Sequence, residues 1–156
     1  SYERIVEKEL SALANRERIL RLEAEVALLP QIDIAVRHHF ALGAYAREIT
    51  IPKGTVLVGA IHKCESLVVL SAGRLRLVTD DGTVEITAPH TMTCKPGAKN
   101  AALALEDSVW TNFFATEETD TDKLVEILTE SKASDLIGGA TNQQLAAPKA
   151  AEITEA

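Results

Sequence analysis

From residue 54 to residue 115 the chain is a succession of short β-branched runs broken every few residues by compact turns. Strand-like segments fall at 55–58, 66–71, 74–79, 83–87, 92–95, 100–105 and 108–115. Between them stand Ala72-Gly73, Asp80-Asp81-Gly82, Ala88-Pro89, Pro96-Gly97 and Glu106-Asp107. Asp-Gly favours a hairpin because both positions tolerate positive φ. Runs this short, with turns this regular, restrict the fold to a sandwich or barrel. Two further strands precede the series. Ile32, Ile34 and Val36 alternate with Asp33 and Ala35, and a run over 47–51 is stopped by Pro52-Lys53-Gly54. An all-β domain is therefore expected over residues 31–116.

The flanks have a different period. Over residues 2–29, Val6, Leu10, Leu13, Leu20, Ala24 and Ala27 recur at three- and four-residue spacing, which predicts a helix ended by Pro30. Asn15 and Glu17 interrupt the stripe, and Asn15 is placed to cap a second, shorter helix. Residues 1–30 thus form a helical arm, either packed on its own domain or used as a coiled-coil or docking arm. Thr119-Asp120-Thr121-Asp122 has the character of a helix N-terminus, with carboxylates favourable to the dipole. It predicts a short helix within 117–130 whose apolar face is Leu124, Val125, Ile127 and Leu128. Residues 131–156 lack periodicity and bulk and are expected to be an extended tail, ordered only where something outside the domain holds it.

Composition narrows the function classes. Aromatics make up 4% of the chain against 46% hydrophobic residues, so Val, Leu, Ile and Ala must fill the core. No basic stripe is present to displace counterions, which argues against nucleic acid as a partner. No uninterrupted apolar run reaches the length of a membrane span. The opening Ser-Tyr-Glu-Arg lacks a secretory pattern, so synthesis in a cytoplasm is expected, with Cys64 and Cys94 as reduced thiols. Residues 117–156 carry nine acidic and three basic side chains, suited to solubility or to docking on a basic protein surface.

Few residues carry chemistry. No nucleophile elbow, P-loop, dinucleotide fingerprint or Cys-x-x-Cys occurs. His38 and His39 are adjacent on a strand and face opposite sides, so they cannot share one ion without a bend. Glu106 and Asp107 lie in a turn and read as solvated. Trp110 reads as a core or interface anchor.

With His62, the Val-Leu-Ser-Ala-Gly73 turn, the Asp81-Gly82 hairpin and Pro96-Gly97, residues 45–115 resemble the cupins, which are small jelly-roll barrels. The resemblance implies a metal held by three His and one Glu. Residue by residue, His62 takes the first His position, Cys64 the second and Asn100 the third. The Glu position falls on Val68, Val69 or Ser66 according to the direction of counting, while Glu65 points to the opposite face. Lys95 and Pro89 replace the second motif's Pro and Gly, and Ala104 its Asn. Structural zinc takes four strong ligands and catalytic zinc three, so no metal or other cofactor is expected. His62, Cys64 and Asn100 are at most a vestigial set.

A closer likeness runs through Ile61-His62-Lys63, Leu70-Ser71-Ala72-Gly73, Ala88-Pro89, Lys95-Pro96-Gly97, Glu106-Asp107-Ser108-Val109-Trp110-Thr111 and Glu118-Thr119-Asp120. It is similar to cupin-like proteins encoded by tailed bacteriophages. The expectation is a non-enzymatic virion protein, a capsid decoration or cement protein made in the host cytoplasm and carried on the capsid surface. Its expected partners are the major capsid protein or another virion protein, and a second or third copy of itself. Val6, Leu10, Leu13, Leu20, Trp110, Leu136, Ile137 and Leu145 are the interface candidates. The alternatives are a metal-dependent cupin dioxygenase or isomerase, with a divalent transition metal at His62 and Cys64, and a small-molecule sensor.

Overall fold

The computed structural model describes residues 2–131 and 146–147. The chain opens with helix α1 (Tyr2–Ala27) and continues through strands β1 (Ala35–Ala41), β2 (Ala44–Ile51), β3 (Val56–Val58), β4 (Ser66–Ala72) and β5 (Arg74–Thr79). It goes on with β6 (Gly82–Thr87), β7 (His90–Cys94), β8 (Ala101–Ala104), β9 (Ser108–Ala115), helix α2 (Thr121–Leu128) and the two-residue β10 (Ala146–Ala147).

The strands form two five-stranded antiparallel sheets, ordered β1-β2-β9-β4-β7 and β10-β3-β8-β5-β6. Setting aside the edge strands β1 and β10, successive strands are dealt to the sheets as 2-9-4-7 and 3-8-5-6, the order of a jelly roll. The described strands do not close into the barrel that the sequence suggested. They remain two sheets face to face, and side chains from both meet between them. Ile49, Ile51 and Leu70 come from one sheet, and Leu57, Leu75, Leu77, Ile86, Ala102 and Ala104 from the other. Gly73 makes the turn from β4 to β5 at φ 87°. A Cβ there would run into the Asp107 carbonyl and Ser108 Oγ, so only glycine fits.

Two expectations are corrected. β1 begins at Ala35 rather than Ile32, and it takes in His38 and His39. The alternation read at 32–36 is a burial signal all the same, because Ile34 is fully buried and Ile32 and Val36 pack on the same core. The N-terminal segment is one unbroken helix of 26 residues, not two. Asn15 is not a cap: its Nδ2 donates to the Asp80 carbonyl 3.0 Å away on the β5–β6 turn.

That bond belongs to a seam that holds α1 on the second sheet. Arg16 donates from Nε and Nη2 to the two carboxylate oxygens of Asp80, and from Nη2 to the Gly97 carbonyl at 2.7 Å. Ile19 and Val26 are fully buried, Ile19 against Val58 and Ala101 and Val26 against Val56. Removing each from water contributes about 2 kcal/mol. Lys99, only 5% exposed, reaches Glu23 Oε2 at 2.7 Å and the Gly59 carbonyl at 3.0 Å. α1 therefore packs on its own domain along Asn15, Arg16, Ile19, Leu22, Glu23 and Val26.

α2 begins where the sequence suggested. Asp120 is its N-cap, accepting from the Asp122 and Lys123 amides at 3.0 and 3.2 Å. Leu124 and Leu128 turn inward onto Tyr45 and Phe114. The tail candidates Leu136, Ile137 and Leu145 lie outside the described residues. Ala146–Ala147 pairs antiparallel with β3 of the same chain.

Candidate functional site: a cationic cavity between the sheets

Between the sheets lies a cavity of about 140 Å³. Period-two alternation on β2 sends Tyr45, Arg47, Ile49 and Ile51 into it, and on β9 it sends Trp110, Asn112 and Phe114. The second sheet supplies Leu57, Leu75, Leu77 and Ala102, while His62 and Asn100 enter from the loops before β4 and β8. α2 adds Thr121, Leu124, Val125 and Leu128, and Thr129 at its end also lines the cavity. The loop that carries His62 is tied to α2 by a β-bridge to Thr129 and by Lys63 N–H donating to the Leu128 carbonyl at 2.8 Å.

Arg47 dominates the electrostatics. It faces Asn112 directly across the β2–β9 ladder. Although the residue keeps some exposed surface, its Nη2 is sealed from solvent and has no hydrogen-bond partner among the described residues. Burial pushes the guanidinium below its ordinary value, with Tyr45 opposing. Burial and then the Arg47 charge push His62 below the usual imidazole value, which favours the neutral ring. Tyr45 is pushed up to about 12, chiefly by burial. Its hydroxyl shares a 2.6 Å hydrogen bond with His38 Nδ1, and burial, Arg47 and His39 all lower His38.

The polar groups around Arg47 are oriented by their own bonds. Trp110 Nε1–H donates to Asn112 Oδ1 at 2.7 Å, and Asn112 Nδ2 makes a long 3.4 Å contact with Ser66 Oγ. With its oxygen occupied, Asn112 is held with its amide donors free of competing acceptors except that weak one. Rings continue the wall: Tyr45 stacks on Phe114 at 6.0 Å, and His62 meets Phe114 edge-on at 5.4 Å.

Of the three positions aligned with cupin ligands, the fold brings His62 and Asn100 to one cavity. Cys64 instead packs against the cluster of Tyr45, Phe114, Leu124 and Leu128. Among the described residues no three of His, Cys, Asp and Glu come together as a metal-binding group. One imidazole and neutral amides beside a buried guanidinium do not fit the divalent transition metal that the cupin resemblance implies. Trp110 is partly buried in the cavity wall and packs on the core. The helix candidates are at the surface: Val6, Leu10, Leu13 and Leu20 are 39, 61, 64 and 47% exposed.

Arg47 is the residue that sequence reasoning missed. Its signal was a charge in phase with Ile49 and Ile51, at an inward-facing position of an alternating strand. Taking that strand to start at residue 47 hid the alternation, because the buried Tyr45 lay outside the window.

No protein-family model and no curated protein matches the chain. Among solved structures it is similar to an RmlC-like cupin from Shewanella frigidimarina, at 18% identity and TM-score 0.46, over 56% of this chain and 86% of that one. It is also similar to KdgF from a Halomonas species, at 14% identity and TM-score 0.48, over 56% and 82%. A cupin superfamily protein from Desulfitobacterium hafniense gives 8% identity and TM-score 0.47, over 56% and 82%. The first and third of these are named as cupins. The jelly-roll assignment rests on this chain's own strand order.

Proposed function

We propose that the protein is a non-enzymatic structural protein that acts by assembly, its copies associating through α1 and attaching to a larger shell as a capsid decoration protein of a tailed phage would. The observation that carries this reading is the apolar row Val6, Leu10, Leu13 and Leu20 on α1, exposed to solvent while a different face of the same helix is packed on the domain. Val6, Leu10 and Leu13 keep the four- and three-residue step of a heptad seam, which Glu17 and the small Ala24 and Ala27 continue more weakly. A helix that already buries one stripe and still presents a second one has a surface for a partner helix. The acidic C-terminal quarter and the phage-like sequence runs support a basic shell surface as the larger partner. The metal-dependent enzyme reading draws no support from the cavity, whose donors suit an anion better than a cation.

The test replaces Leu10 and Leu13 with Lys. Both side chains are exposed, so the monomer fold is retained, as unchanged circular dichroism checks. Sedimentation equilibrium is expected to show wild-type dimers or trimers reduced to monomers, with binding to purified shells lost in parallel. A wild-type chain that sediments as a monomer, or a variant that assembles unchanged, overturns the reading.

A further inference from the structure

The chain places a permanent positive charge where water does not reach one of its donors and where nothing described neutralises it. A guanidinium cannot discharge by losing a proton, unlike a buried lysine. Among the described residues no carboxylate lines the cavity, and Arg47 Nη2 has no hydrogen-bond partner. Arg16 supplies the contrast within the same molecule, with both branches of its fork satisfied by Asp80. A lone buried charge is unfavourable unless something pairs with it. Arg47 thus lines the cavity while carrying a buried donor, Nη2, that is without a partner among the described residues.

The surroundings select what fills it. Opposite Arg47 stands Asn112, its amide oxygen already engaged by Trp110 and its Nδ2 only weakly held. His62, favoured neutral, adds a ring nitrogen without a competing charge. Leu57, Leu75 and Leu77 line the cavity together with the rings of Trp110 and Phe114, while Tyr45, Asn100, Thr121 and Thr129 add further polar groups to the wall. A cavity of about 140 Å³ has the size of sites that hold a single benzene-sized molecule.

We propose that this cavity is a binding site for a small carboxylate with an apolar body, of about benzoate size, whose carboxylate pairs with the planar fork of Arg47 and whose body lies against Trp110 and the leucines. The fork matches two carboxylate oxygens at once, which a spherical anion cannot exploit. Asn112 Nδ2 donates a further hydrogen bond to the same group. This site is independent of α1, so a protein that assembles and one that does not would both carry it.

Trp110 is the only tryptophan, so its indole N–H gives one isolated NMR signal from the cavity wall. The experiment titrates sodium benzoate into the isotope-labelled full chain, beside benzamide (the same body without charge) and sodium acetate (the charge without the body). Benzoate is expected to move the indole signal saturably, with benzamide and acetate each weaker by ~10-fold or more. In Arg47→Met, benzoate affinity is expected to fall by ~30-fold or more, and Arg47→Lys, which keeps the charge but loses the fork, falls between. If Arg47→Met does not fold, the wild-type comparison of benzoate with benzamide decides alone. No saturable response to benzoate, an equal response to benzamide or acetate, or unchanged binding in Arg47→Met overturns the proposal. The same titration in the Leu10→Lys/Leu13→Lys variant is expected to match wild type, which keeps this result separate from the assembly reading.

Discussion

At the scale of single residues, the unusual feature is a set of buried polar groups that burial, more than any other cause, holds away from their ordinary ionisation. Three buried side-chain atoms are without partners among the described residues: His38 Nε2, Arg47 Nη2 and Thr55 Oγ1. Two of them flank Tyr45, whose hydroxyl bonds to His38 Nδ1. His38 and His62 both have imidazole pKa values below the ordinary one, through burial first and then the Arg47 charge, with His39 adding to the effect on His38. In the unfolded chain both take up a proton near pH 6.5, whereas the folded chain resists it. The unfolded state then binds more protons, so stability is full above about pH 6.5 and declines as pH falls below it. Thermal midpoints measured from pH 7.5 to 5.5 are expected to drop, and to drop less in His38→Gln or His62→Gln. A midpoint that is flat or rises toward pH 5.5 contradicts this account. These groups were only partly legible in the sequence. His62 stood out because a motif pointed to it, whereas Arg47 became conspicuous only when the register placed it opposite Asn112 on an inner face.

At the scale of elements, the strands were legible because their signals are local. β5 and β9 lie where the alternation and turns placed them, and the Asp81-Gly82 step makes the β5–β6 hairpin. α1 was legible as a helix but not in its role, because a stripe of apolar residues does not say which stripe a distant sheet will cover. The stripe seen in the sequence is the exposed one, and Ile19 and Val26, which do the packing, lie off it. Asn15 was misread for a related reason. An amide side chain near a break in periodicity suits an N-cap, but here its acceptor is 65 positions away in sequence. If α1 is held mainly by Ile19 and Val26, Ile19→Ala is expected to cost about 3 kcal/mol in chemical denaturation. Hydrogen exchange should then rise along 12–27 and stay unchanged in β2 and β9. Equal loss of protection in all these elements would contradict the view that α1 is a separable layer.

At the scale of the whole molecule, the jelly roll separates a cavity between its sheets from an exposed apolar row on α1. The interior carries a cation among largely apolar walls, with no metal-binding cluster among the described residues, and α1 carries an exposed apolar row. Strand number and turn spacing announced this architecture, but they could not distinguish a closed barrel from two facing sheets. That difference depends on long-range pairing at the edges, where β3 meets only β8 and the two residues of β10. The central claim, assembly without a metal-dependent activity, is open to one direct measurement. Native mass spectrometry of the purified full chain reads subunit number and bound metal in the same spectrum. The account predicts two or three times the 16.8 kDa chain mass, with no stoichiometric iron, zinc or manganese. A single chain carrying one transition-metal ion would contradict it.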